Sequence, residues 1–165
     1  MVIVEAYRDN ISRGPFSKMD KTPQESDSFN LPRLGRQWQW QANYNPSFGM
    51  PTSLGFFRLY TYKTNDNFWN IPNLLLQKTP ADCFTVTAKL TLISKAEGQL
   101  GGLIMMGLDY SSLVVKRVGD GFVLQQMTCR NADKGGAVIV TPLAHLPKTG
   151  QDDNDYQFAI YEEVF

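Results

Sequence analysis

Between residues 83 and 93 every second position is apolar: Phe84, Val86, Ala88, Leu90 and Leu92 alternate with Thr85, Thr87, Lys89 and Thr91. Successive side chains of a strand point to opposite faces, so the stretch predicts a half-buried strand with the first set inward. Gln37-Trp38-Gln39-Trp40-Gln41 has the same period, with indoles on one face and amides on the other. Residues 56–62 form another β-rich run, with Phe57 and Leu59 opposite Tyr60 and Tyr62. Residues 103–110 and 113–118 are more continuously apolar, as strands covered on both faces are. Gly119-Asp120-Gly121 then predicts a tight hairpin into residues 122–129, because glycine tolerates the positive φ of such turns. Residues 137–140 and 156–165 complete the set, the last with Tyr156, Phe158, Ile160 and Val164 on one face.

No window carries an i, i+3, i+4, i+7 stripe of good helix formers with a cap. No internal repeat of the propeller or solenoid kind is present. Many short strands separated by Gly, Pro and Asn turns predict an all-β fold, a sandwich or a barrel, and the expectation taken forward is an antiparallel β-sandwich of two packed sheets. Residues 5–30 are polar and broken by Gly14, Pro15 and Pro23, and residues 1–25 read as a lead-in or linker. Residues 26–165 then form the sandwich domain.

Composition narrows the function classes. At 165 residues and 42% hydrophobic, the chain can build one ordinary core without metal or disulfide staples. Lys plus Arg and Asp plus Glu both number 16, so no net field draws in nucleic acid or an anionic membrane, and neither is expected as a partner. Cys83 and Cys129 fall in no metal or redox spacing and read as two separate thiols. The opening residues lack the apolar run of a signal peptide, and no stretch reaches the ~18 apolar residues of a membrane span.

Candidate chemistry is sparse. The single histidine, His145, has no nucleophile elbow to serve and reads as structural or exposed. Gly98, Gly101 and Gly102 precede an apolar strand, where a bulge or turn accounts for them. Asp152-Asp153-Asn154-Asp155 offers oxygen ligands that suit a structural calcium. It lacks the glycine and distal glutamate of an EF-hand loop, so a solvated turn is the better reading and no cofactor is expected. Carboxyl groups are common, yet no pair can be located for glycoside hydrolysis. Aromatic residues are the more telling feature, at 12% of the chain. Trp38, Trp40, Tyr44, Phe48, Tyr60, Tyr62, Phe68 and Trp69 could build a platform for sugar rings. The alternation at Trp38 and Trp40 equally fits a sandwich core. Phe68 and Trp69, between Asn67 and Asn70 in a turn-like stretch, are expected at the surface.

Four stretches together resemble a known module. They are Ser26-Asp27-Ser28-Phe29-Asn30, Leu34-Gly35-Arg36-Gln37-Trp38-Gln39-Trp40-Gln41-Ala42-Asn43, Phe68-Trp69-Asn70-Ile71-Pro72-Asn73-Leu74-Leu75-Leu76-Gln77-Lys78, and Lys95-Ala96-Glu97-Gly98 with the run from Gly102 to Tyr110. The chain resembles the C-terminal concanavalin A-like β-sandwich of glycoside hydrolase family 43, the β-xylosidases and α-L-arabinofuranosidases. The likeness runs from about Ser26 to Leu146 and is poor after Thr149, where the family's sandwich continues through further strands. The opening residues 2–10 are similar to the connector that follows the family's catalytic propeller.

The resemblance implies a non-catalytic accessory domain, because the family's catalytic carboxylates belong to the preceding propeller and none can be carried onto this chain. It implies that propeller as a partner, xylo- or arabino-oligosaccharide as a ligand of the whole enzyme, and a periplasmic or secreted parent. Phe68, Trp69, Tyr44 and Phe48 are the candidate aromatics for facing the propeller or touching sugar. The alternative is a free-standing, lectin-like carbohydrate-binding module. Uncovered sheet edges and a docking face predict self-association of the isolated chain.

Overall fold

The computed structural model describes residues 2–7, 26–63, 67–79, 84–146 and 157–164. Among them lie eleven strands and two 3₁₀ turns. One sheet is a meander of consecutive neighbours, β7 (Leu100–Met105), β8 (Tyr110–Val118), β9 (Gly121–Cys129) and β10 (Val138–Leu146), in the order β10-β9-β8-β7. The expected hairpin joins β8 to β9, with Val118 paired to Gly121 across Gly119-Asp120. Gly119 has φ +56°, while Asp120 is not in the positive-φ region. That is the pattern of a type II′ turn, whose first central residue is glycine because a Cβ there would clash.

The second sheet gathers distant segments. Its order is β11 (Gln157–Val164), β6 (Phe84–Leu92), β1 (Val2–Tyr7), β4 (Phe57–Leu59) and β3 (Gly49–Pro51), with every pair antiparallel. A short ribbon of β2 (Trp38–Trp40) and β5 (Leu75–Gln77) completes the strands.

The core lies on both faces of the meander. On one side Leu90 and Leu92 of β6 pack against Val115 and Phe122, flanked by Leu59, Leu124 and Leu146. On the other, Tyr110, Val114, Met127 and Cys129 pack against Phe68, Ile71 and Ala132. β8 therefore has apolar residues of both parities, as its nearly unbroken apolar run predicts. The chain is an all-β antiparallel sandwich.

Three readings change. The lead-in expected over residues 1–25 contains β1, which pairs Val2 with both Leu59 and Leu92. Val2-Ile3-Val4 is β-branched throughout and suited to a strand between two others. The alternation of β6 is sharp only from Ala88 onward: Phe84 and Val86, expected inward, are half-buried like Thr85 and Thr87. The described part of β1 ends at the Tyr7–Thr87 pair, so residues 84–86 are paired only with β11 among the described residues. The strand expected over 137–140 runs on to Leu146, past Pro142 and a register shift between Pro142 and Ala144. Proline is tolerated there because β10 is an edge strand. Cys83, Tyr156, Phe165 and the acidic run at 152–155 lie outside the described residues.

Replacing Leu92, fully buried between the sheets, with alanine is expected to cost about 2–5 kcal/mol in urea unfolding. Thr141→Ala, at an exposed position of β10, should stay within about 0.5 kcal/mol. The reverse ranking would overturn the packing described.

Candidate functional site

The indole pair belongs to an aromatic layer built from β2, β3 and β4. Asp27 anchors one end: its Oδ2 accepts from Trp38 Nε1 at 2.7 Å and Gln37 Nε2 at 3.1 Å, and its Oδ1 accepts from the Phe29 N–H at 2.8 Å. These bonds hold Phe29 at φ +51°, an uncommon conformation for a bulky residue. Its ring stacks on Trp38 (5.5 Å) and meets Phe57 (5.7 Å). Trp40 continues the layer against Phe57, Phe48 and Tyr44. Both indoles are half-buried, so the core reading describes them better than an open platform.

The four candidate aromatics do not form one surface. Phe48 is buried, with 6% exposure, whereas Tyr44 is 61% exposed. Phe68, expected at the surface, is 4% exposed and stacks on Tyr110 at 5.5 Å; Trp69 is half-buried against the same cluster. The correction has a local cause. Asn67 Oδ1 accepts from the Trp69 N–H (2.9 Å), which caps the 3₁₀ turn Phe68–Asn70. Asn67 Nδ2 donates to the carbonyls of Ala132 (3.1 Å) and Gly136 (3.4 Å). One amide thus fastens the turn to the loop after β9 and presses Phe68 inward. An asparagine directly before Phe-Trp-Asn is a cap signal, and it was the available clue to this arrangement.

Tyr110 sits beneath the turn, and its hydroxyl oxygen accepts from the Phe68 N–H at 3.3 Å. Burial pushes its pKa above the ordinary tyrosine value; the Phe68 hydrogen bond pulls it the other way, and Cys129 adds a smaller upward push. No sequence pattern marked Tyr110, because its partner lies 42 residues away.

A cavity of about 520 Å³ opens beside this cluster. Residues 97–104 form one wall and residues 59–63 the other, over Phe68, Ile71, Leu74, Ser112 and Val114. Its entrance turn is set by Gly98, at φ +76°. The Gln99 N–H donates to Ala96 O (3.4 Å), the Gly98 N–H to Arg117 O (3.1 Å), and the Arg117 N–H to Gln99 O (2.9 Å). This is a turn leading into a bulge whose first residue is a left-handed glycine. Gly101 and Gly102, by contrast, lie within β7, and a Cβ on Gly102 would collide with the Leu113 carbonyl. Glu97 is the only carboxylate among the described lining residues, and its Oε2 accepts from the Gly119 N–H at 2.8 Å. His145 is exposed on β10. Among the described residues no His, Cys, Asp or Glu cluster suits a metal ion.

Two packed antiparallel sheets, the meander roofed on its free side by an aromatic segment, define a concanavalin A-like sandwich domain. The chain belongs to the family of beta xylosidase C-terminal concanavalin A-like domains, whose family model matches residues 26–160. The match extends into β11, through residues expected to fall outside it. Comparison with curated proteins and with solved structures gives no significant match.

The raised pKa of Tyr110 fixes a sign for pH dependence. Folding favours the neutral phenol, so its contribution is fully present below the ordinary value near 10 and is lost as pH rises through the folded pKa. Stability in urea is expected to fall above about pH 10, and the fall should be shallower in Tyr110→Phe. An equal slope in both proteins would remove Tyr110 as the source.

Proposed function

We propose that this domain is the non-catalytic accessory part of a family 43 glycosidase, acting with a catalytic β-propeller on xylosides or arabinofuranosides derived from plant polysaccharides. The observation that carries the reading is the family match over residues 26–160. The β3–β4 hairpin offers a face suited to packing on another domain. Met50 and Tyr60 are exposed there, and between them Arg58 Nε is buried without a hydrogen-bond partner.

The lectin-like reading has one observation in its favour. Tyr44 is exposed beside Trp40 (6.0 Å), and Tyr62, 53% exposed, stands edge-on to Phe48 (6.1 Å). Stacking on these rings would retard the protein in xylan-containing native gels, and Tyr44→Ala would abolish the retardation.

Purified chain is expected to release no aglycone from aryl xylosides or arabinofuranosides, and to raise the melting temperature of a separately produced family 43 propeller. Turnover by the chain alone, abolished by Glu97→Gln, would reverse the assignment. So would a propeller indifferent to its presence.

A further inference from the structure

β7 is the outer strand of the meander, and the cavity runs along its open side. The Arg117–Gln99 hydrogen bond fixes the phase of its ladder. Main-chain groups alternate along an antiparallel strand. Those of Gly101, Leu103 and Met105 therefore face β8, opposite Val115, Leu113 and Ser111. Those of Leu100, Gly102 and Ile104 turn outward to the cavity, where they have no hydrogen-bond partner among the described residues.

Three of the polar side chains around them are engaged. Asn73 Nδ2 donates to Tyr60 O (2.6 Å), Gln99 Nε2 to Thr61 Oγ1 (3.2 Å) and Ser112 Oγ to Met127 O (3.2 Å). What the cavity presents is a row of unpaired peptide groups at strand spacing over an apolar floor of Phe68, Ile71 and Leu74. A sugar reads a site mainly through side-chain donors and acceptors, and Asn73, Gln99 and Ser112 are already committed to the protein's own groups. An extended peptide matches the row group for group.

We propose that the cavity is a strand-acceptor slot. It takes a single extended segment of a partner polypeptide, hydrogen-bonded to β7 through Leu100, Gly102 and Ile104, with uncharged apolar side chains at alternate positions over the floor. The wall at 59–63 stands opposite β7, and the Gln99–Thr61 bond joins the two walls at one end. The occupant consequently enters as a lone strand; the edge of a second copy's sheet would meet that wall. The role is independent of whether the partner domain hydrolyses glycosides.

Residue-resolved hydrogen exchange on the whole chain tests it. In the free protein the amides of Leu100, Gly102 and Ile104 should exchange fast, and those of Gly101, Leu103 and Met105 slowly. The probe is the acetylated, amidated peptide Lys-Thr-Val-Thr-Val-Thr-Lys at millimolar concentration. It should slow the first three amides by roughly tenfold, a difference of about 1.4 kcal/mol. Its counterpart, N-methylated at alternate residues in either phase, should bind more weakly in the phase that blocks the ladder. Slow exchange at the three amides in the free protein, no protection by the peptide, equal binding of all peptides, or protection by xylotriose instead would each overturn the proposal.

Discussion

Burial of β8 from both sides is the constraint on which the other elements depend. Its even-numbered residues, Tyr110, Ser112 and Val114, face the turn at Phe68, and Val115 faces β6. A strand with water on neither face needs a cover on each, so the meander holds the five-stranded sheet on one side and the aromatic roof on the other. On the roofed face Ser112 is fully buried and donates to the carbonyl of Met127, its cross-strand partner. That bond removes the cost of a polar group at the centre.

The roof explains why the chemistry of this chain is quiet. Asn67, Asp27, Gln99 and Glu97 are residue types that bind ligands elsewhere, and each is turned onto the backbone or onto a neighbouring side chain. They fix loops that have no strand partners of their own. The outward main-chain groups of Leu100, Gly102 and Ile104, on the rim of the meander, have no partner among the described residues.

Period-two patterning made β6 legible, a nearly unbroken apolar run did so for β8, and Gly119-Asp120 placed the hairpin into β9 within a residue. β3 and β5 escaped because neither sits in an alternating run: β3 is Gly49-Met50-Pro51, and β5 begins within Leu74-Leu75-Leu76, where no alternation exists to read. β1 was hidden by the polar residues after it. The site was less legible than the fold. Exposure of Phe68 was inferred from its polar neighbours, yet one of those, Asn67, is what buries it. The cavity joins residues 59–63 to 97–104, and nothing local in a sequence records which distant segments face each other across a gap.

The two sheets also differ in how far the chain travels to make them. Each strand of the meander after β7 pairs with its immediate predecessor, closing short connections such as Val118 to Gly121. The other sheet joins Val2 to Leu92 and Phe84 to Val164, with β6 at the centre of both closures. Loop-closure entropy grows only slowly with length, but it must be lost before a distant pairing returns anything. The meander's local contacts carry no such debt, and its apolar face is the natural surface on which β6 recruits the two far ends of the chain.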